Sequence, residues 1–194
     1  LSRFPYEDYF RGHWRKRSAV MTDRLLEEWN KGASTITYLG HGGPNLWSSE
    51  RILHLRDLDL LNVRGRFPFL LAGSCDTGWI DYPIDPVRTS LAEQMIRSPE
   101  GGAIAAYIPI AGTSSYEHNY LLTALYDAMF RDGVYDVGKT TLLSKINYLL
   151  YRTNSSVTDQ YLLMGDPALK LAMPEETLAL SISPAKLLTL TGGA

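Results

Sequence analysis

The sequence has almost no cysteine: Cys75 stands alone among 194 residues. An internal disulfide is therefore impossible, and the count alone neither requires nor excludes a secreted origin. An excess of one charge is also missing, with 19 Lys and Arg against 21 Asp and Glu and a net charge of −2, which removes the electrostatic case for a nucleic-acid partner. No apolar run approaches the roughly 18 residues that span a bilayer, so no membrane segment is expected. The opening Leu1-Ser-Arg-Phe-Pro-Tyr-Glu-Asp lacks the pattern of a signal peptide. With Leu1 in place of an initiator methionine, the expectation is an excerpt from a longer polypeptide with other domains. Internal repeats and low-complexity tracts are absent too. What is present is apolar content of 45%, enough to bury the core of one domain, or of one domain plus a fragment.

The lone cysteine ends an apolar run, Phe67-Pro-Phe-Leu-Leu-Ala-Gly-Ser-Cys75, and an equivalent run, Thr35-Ile-Thr-Tyr-Leu-Gly-His41-Gly-Gly, ends in a histidine. Both runs read as buried strands. Each delivers half of a Cys/His pair at its C-terminal end, which is the pairing of a cysteine nucleophile with its base. The segment 42–66 has room for the crossover that joins adjacent parallel strands. Within it Ile52, Leu53, Leu55, Leu58 and Leu61, interleaved with Arg and Asp, predict a short amphipathic helix. Open α/β sheets place their sites just beyond the C-terminal ends of such strands.

Elsewhere the periodicity alternates. Val20, Met21, Leu25, Leu26 and Trp29 recur at helical spacing and Gly32 stops the pattern, so a helix over about 19–31 feeds the His41 strand. Ser90-Leu-Ala-Glu93 is a capping box opening a helix through about Arg97. Gly102-Ala-Ile-Ala-Ala-Tyr-Ile108 predicts a third buried strand. Leu121, Leu122, Leu125, Met129 and Phe130 predict a helix, and Leu142, Leu143, Ile146, Leu149 and Leu150 predict another over 140–151. The order βαβαβαα predicts an α/β domain with a mainly parallel sheet flanked by helices. After Pro174-Glu175-Glu176, the alternation in Thr177-Leu-Ala-Leu-Ser-Ile-Ser-Pro reads either as a linker leading into a β-domain or as an edge strand of the same domain.

One pattern competes. Gly133-Val-Tyr-Asp-Val-Gly138-Lys139-Thr140 satisfies the phosphate-binding P-loop spacing, with Asp166 as a stand-in for the downstream metal-binding carboxylate of a nucleotide hydrolase. A P-loop must follow directly from a buried strand. Here the preceding residues have helical spacing, and Tyr135 and Val137 crowd the loop. A helix–helix turn is the expectation.

The ordered set of motifs resembles the gingipain-type cysteine peptidases, which share the caspase-like fold. The resemblance rests on Tyr38-Leu-Gly-His41-Gly42-Gly43 and Leu71-Ala-Gly-Ser74-Cys75. It extends to Gly78 and the acidic loop after the cysteine, Leu91-Ala-Glu93, Gly101-Gly102-Ala103 and Tyr161-Leu-Leu-Met-Gly165-Asp166-Pro167, covering most of residues 33–172. It implies a three-layer caspase-like domain over 1–173, incomplete at its N-terminus, where relatives carry their first strands and an acidic residue that can orient the histidine. An immunoglobulin-like domain beginning within 174–194 is implied in the same way. The implied activity is that of a cysteine endopeptidase, extracellular or at the cell surface, acting on protein or peptide substrates without a catalytic cofactor. In that pattern Cys75 is the nucleophile, His41 the base, and the backbone N–H groups of Gly42 and Cys75 form the oxyanion hole. Relatives that cut after Arg or Lys use an acidic residue in the first specificity pocket. The matching stretch, Gly112-Thr-Ser-Ser-Tyr116-Glu117, offers only Glu117, with Tyr116 beside it. Trp79 and Tyr82 either wall the substrate groove or cover the sheet edge. A structural calcium, common in gingipain-like enzymes, would draw on Asp76, Asp81 and Asp85, which without the resemblance form an acidic turn lacking EF-hand spacing.

Each residue also has a plainer reading. A lone cysteine in a strand is a small core hydrophobe, and a histidine in a glycine-rich turn makes a local hydrogen bond. A catalytically silent peptidase-like domain that binds or scaffolds is thus the alternative. His13 lies in the cationic stretch Arg11-Gly-His-Trp-Arg-Lys-Arg17, a solvated face; His54 falls on the crossover helix; His118 opens a helix beyond the third strand, near the cleft.

Overall fold

The computed structural model describes residues 7–8, 16–81 and 89–173. His13, Tyr82, Asp85 and the stretch 174–194, with the linker and β-domain expectations attached to it, lie outside the described residues. In chain order, β1 (Glu7–Asp8) and β2 (Lys16–Arg17) pair antiparallel. Helix α1 (Ala19–Asn30) leads into β3 (Thr35–Leu39). A small antiparallel sheet follows, made of β4 (Gly42–Gly43), β5 (Leu46–Trp47) and β6 (Leu53–His54). Next come a 3-10 helix (Leu55–Leu60), β7 (Phe69–Gly73), α2 (Leu91–Arg97) and β8 (Ala105–Pro109). Helix α3 (Ser115–Tyr126) runs on into a π-helical turn (Asp127–Arg131), and α4 (Val137–Tyr151), α5 (Ser156–Gln160) and β9 (Tyr161–Met164) complete the order.

The central sheet has the order β3-β7-β8-β9, with β3, β7 and β8 parallel and β9 antiparallel. Strand alternation divides it between two cores. Leu70, Ala72, Ala106 and Ile108 face α1 and α2 with Trp29, Leu26, Leu91 and Met95, while Phe69, Leu71, Ala105 and Tyr107 face α3 and α4 with Leu121, Leu125 and Tyr148. A strand buried on both faces must be apolar throughout, which is why β7 reads as a continuous run. The result is the three-layer α/β arrangement expected from the sequence. Among the described residues, no helix is long and apolar enough to cross a membrane.

The capping box of α2 forms as predicted: the Ser90 N–H donates to Glu93 Oε2 at 2.7 Å and the Glu93 N–H donates to Ser90 Oγ at 3.4 Å. The crossover differs from expectation. Leu53 belongs to β6, Ile52 precedes it, and only Leu55–Leu60 is helical, as a 3-10 turn. Its start is set by His54, whose Nδ1 accepts from the Arg56 N–H at 3.0 Å while Asp57 accepts from the His54 N–H at 2.8 Å; His54 is a cap, not a helix-face residue. The third strand begins at Ala105, three residues later than Gly102. Gly102 has φ +101° and sits so near Met95 that an added Cβ would lie 2.1 Å from its carbonyl oxygen.

The P-loop pattern lies between two helices, as its context implied. Residues 115–131 ahead of it are helical. Gly138 is needed for packing, since a Cβ there would stand 2.7 Å from the Pro167 oxygen that its own N–H meets at 2.9 Å. Lys139 is exposed and pairs with Asp136 at 3.5 Å, and Asp166 caps its own turn by accepting from the Ala168 N–H at 2.8 Å. With no strand behind it, the segment has no phosphate cradle, and the nucleotide-hydrolase alternative falls.

Candidate active site

Matched register between two parallel strands sets the geometry. Residues Thr35–Leu39 pair one by one with Phe69–Gly73, ending at Leu39 opposite Gly73. The Gly40 N–H carries the ladder one step further, to the Gly73 carbonyl at 3.1 Å. His41 and Cys75 each stand two residues beyond the last pair, so both leave the sheet at the same level of its C-terminal edge. His41 is exposed, and Cys75 is free and half-buried, just after the fully buried stretch that closes at Ser74. A core cysteine would sit within that buried stretch instead.

The thiol faces the loop between β8 and α3. Cys75 Sγ donates weakly to the Thr113 carbonyl at 3.7 Å, and a Cβ on Gly112 would lie 3.7 Å from the same sulfur. The turn after the cysteine is tied down by Ser74 Oγ and Thr77 Oγ1 at 2.5 Å and by the Gly78 N–H, which donates to the Pro109 carbonyl at 3.0 Å. Asp76 holds φ +57°, a left-handed conformation uncommon for a residue with a side chain. Burial pushes its carboxyl group up.

On the histidine side, the main-chain carbonyl of His41 accepts two hydrogen bonds, from Tyr38 Oη at 2.6 Å and from the Ser48 N–H at 2.7 Å. The Tyr38 ring stacks on Trp47, with centroids 4.4 Å apart and planes 13° from parallel. Trp47 is buried and lies 6.1 Å from the buried Trp29. Gly42 joins the two halves of the site. A Cβ there would stand 2.8 Å from Ser74 Cβ and 3.1 Å from the Cys75 oxygen, so the hairpin after the histidine packs directly on the turn that carries the cysteine.

The remaining sequence-derived residues divide. Glu117 does not face the thiol loop as a free carboxylate: its Oε2 accepts from Tyr148 Oη at 2.6 Å and its Oε1 meets Arg152 at 3.4 Å. Tyr116 is exposed, with the Arg152 guanidinium 4.5 Å above its ring. Trp79 is half-buried in the turn after the cysteine. His118 is buried, with Nδ1 2.6 Å from Tyr161 Oη. Asp81 is exposed and Asp85 lies outside the described residues. Among the described residues, no three His, Cys, Asp or Glu side chains converge as a metal ion would require. Sequence reasoning did not single out Tyr38, Ser48 or Trp47; the available signal was an aromatic residue three positions before the histidine and another six after it.

Comparison with known proteins identifies the family and the fold. The family model described as peptidase family C25 matches residues 3–172. No curated protein sequence matches the chain. Three solved structures share the fold. The crystal structure of gingipain R, described as an Arg-specific cysteine proteinase, superposes with a TM-score of 0.65 at 16% identity, covering 77% of this chain and 36% of that one. The complex of the RgpB pro- and mature domains from Porphyromonas gingivalis gives a TM-score of 0.70 at 17% identity, covering 77% and 37%. A third structure, described only as a protease, gives 0.67 at 20% identity, covering 81% and 41%. The chain thus spans less than half the length of each solved structure it matches. It belongs to peptidase family C25, the gingipain-type cysteine peptidases, and has their caspase-like fold.

Proposed function

We propose that this domain is a cysteine endopeptidase in which Cys75 is the nucleophile and His41 the base. The observation that supports it most is the equal offset of the two residues beyond the last paired residues of adjacent parallel strands. A free thiol has a pKa near 8.5, so little of it is thiolate at neutral pH, and a nearby imidazole raises that fraction by taking the proton. The thiolate attacks the scissile carbonyl carbon, forming a C–S bond and moving the carbonyl electron pair onto oxygen. Backbone N–H groups of Gly42 and Cys75 receive that oxyanion, since donors fixed in advance cost no reorganisation as charge develops. The intermediate collapses, the C–N bond breaks, and His41 returns its proton to the departing amine. A water molecule, deprotonated by His41, then attacks the thioester and releases the carboxylate and the thiol.

Protein or peptide substrates follow from the family. Gingipain R is described as Arg-specific, but Glu117 is already engaged by Tyr148 and Arg152, so arginine preference is not carried over through that residue. An extracellular or cell-surface setting is proposed by resemblance alone. The decisive measurement is peptide hydrolysis by Cys75→Ala in the full-length protein. Activity and active-site labelling by thiol-reactive peptide probes should both vanish, because both steps form a bond to the Cys75 sulfur. Hydrolysis that survives the substitution removes the reading.

A further inference from the structure

We propose that Tyr38, together with the Ser48 N–H, aims the backbone N–H of Gly42 by clamping the carbonyl oxygen of His41. This inference rests on the peptidase reading above and adds a positioning residue to it. Two donors converge on one acceptor, at 2.6 Å from Tyr38 and 2.7 Å from Ser48. A peptide unit is planar, and in the trans form its C=O and N–H point in opposite directions. Holding the carbonyl of His41 therefore holds the N–H of Gly42.

The hairpin fixes which way that N–H points. The bond from Ser48 to His41 makes residues 41 and 48 a hydrogen-bonded pair, and Gly42 and Trp47, one step inward, are the next opposed pair. Antiparallel pairs alternate, so Gly42 and Trp47 form a non-bonded pair and the Gly42 N–H faces away from β5. Gly42 itself abuts Ser74 and the Cys75 carbonyl. The donor is thus left unoccupied by the hairpin and stands beside the segment that carries the nucleophile.

The surroundings of Tyr38 suit this role. Its ring is held between Trp47, on which it stacks, and the backbone of Gly40, where a Cβ would fall 2.6 Å from the phenol oxygen. Burial, followed by the nearby Glu50 carboxylate, pushes its pKa up to about 12, so the hydroxyl remains a donor throughout the neutral range. Ser48 reaches the carbonyl from a left-handed conformation, φ +64°, a conformation that persists only where the surrounding structure enforces it.

Tyr38→Phe tests the clamp, because it keeps the ring and its stack and deletes only the hydroxyl. On the active full-length protein, kcat for a peptide substrate should fall about tenfold, less than the roughly 10²–10³ lost when an oxyanion donor is removed outright, since Ser48 still holds the carbonyl. KM should stay within about twofold, as expected when an interaction specific to the transition state is weakened. The rate and pH midpoint of Cys75 alkylation by iodoacetamide should not move, because that reaction forms no oxyanion. An unchanged kcat, a loss carried by KM, or a parallel loss of alkylation overturns the aiming role. Cys75→Ala measured alongside separates the two levels. Hydrolysis surviving in Cys75→Ala removes the peptidase reading itself, whereas hydrolysis lost there and unchanged in Tyr38→Phe removes only the clamp.

Discussion

At Gly42 and Gly43, neighbours in one hairpin, an added methyl group meets opposite surroundings. At Gly42 it would press on buried Ser74 at 2.8 Å and on the Cys75 oxygen at 3.1 Å, while at Gly43 nothing lies within 4 Å. Ser74 cannot give way freely, since it is fully buried and bonded to Thr77. Relief must come from moving the peptide that carries the cysteine. We predict that Gly42→Ala lowers kcat/KM at least about tenfold and destabilises the domain by about 1–3 kcal/mol, the usual cost of overpacking, whereas Gly43→Ala stays close to the parent in both. Steady-state kinetics and thermal melting of the pair decide this, and equal effects at the two positions would refute it. His41 and Cys75 were legible in the sequence because each ends an apolar run, and a strand end is a place that periodicity can locate. Tyr38 was not. Strand alternation puts it with Ile36 on the α1 side of the sheet, where both pack; nothing in spacing shows its hydroxyl returning to the carbonyl three residues on.

Helix α4 shows how far periodicity carries at the level of an element. Leu142, Ile146, Leu149 and Leu150 correctly marked a helix, yet they point outwards, at 58%, 44%, 46% and 69% exposure. The face turned inward carries Val137, Thr140, Thr141, Ser144 and Tyr148. Its hydroxyls find carbonyls: Thr140 donates to Val134 at 2.7 Å, Thr141 to Val137 at 3.0 Å, and Ser144 to Leu121 of α3 at 2.7 Å. Hydroxyl-to-carbonyl bonds of this kind, two of them local and one reaching α3, leave no apolar signature, so the sequence located the helix and not its buried face. The crossover failed for a related reason. Two-residue strands at Leu46–Trp47 and Leu53–His54 are too short to show alternation. We predict that Ser144→Ala lowers stability by about 1 kcal/mol, the net worth of a buried hydrogen bond, while Leu142→Gln and Leu150→Gln stay within about 0.5 kcal/mol, as exposed substitutions do. Denaturant unfolding of the three variants is the check, and a larger loss at the leucines would show that their face is covered.

Across the whole molecule, the sheet is stable only if its two helical layers stay docked, and His118 sits at one of the junctions. It belongs to α3, it bonds Tyr161 of β9, and its Cβ lies 3.0 Å from where a side chain on Gly73 of β7 would begin. Burial pushes its imidazole down to about 4, so the native state keeps it neutral, whereas in an unfolded chain it titrates near 6.5. Between those values the unfolded chain holds more protons than the folded one. Stability contributed by neutral His118 is therefore complete above about pH 6.5 and is lost as pH falls towards 4. At about 1.4 kcal/mol for each unit between the two values, the loss approaches roughly 3 kcal/mol. Tyr161 and Tyr107, which pack together beside it, are both raised by burial and stay protonated throughout. Asp76 acts with the opposite sign, because a raised carboxyl group takes up its proton more readily in the folded state. Comparison with a variant isolates the histidine. Unfolding free energy measured in denaturant at pH 7 and pH 4.5 should drop steeply in the parent and clearly less in His118→Gln, which cannot be protonated. Parallel slopes in the two proteins would mean that the imidazole is already charged, or solvated, at this junction of helix and sheet.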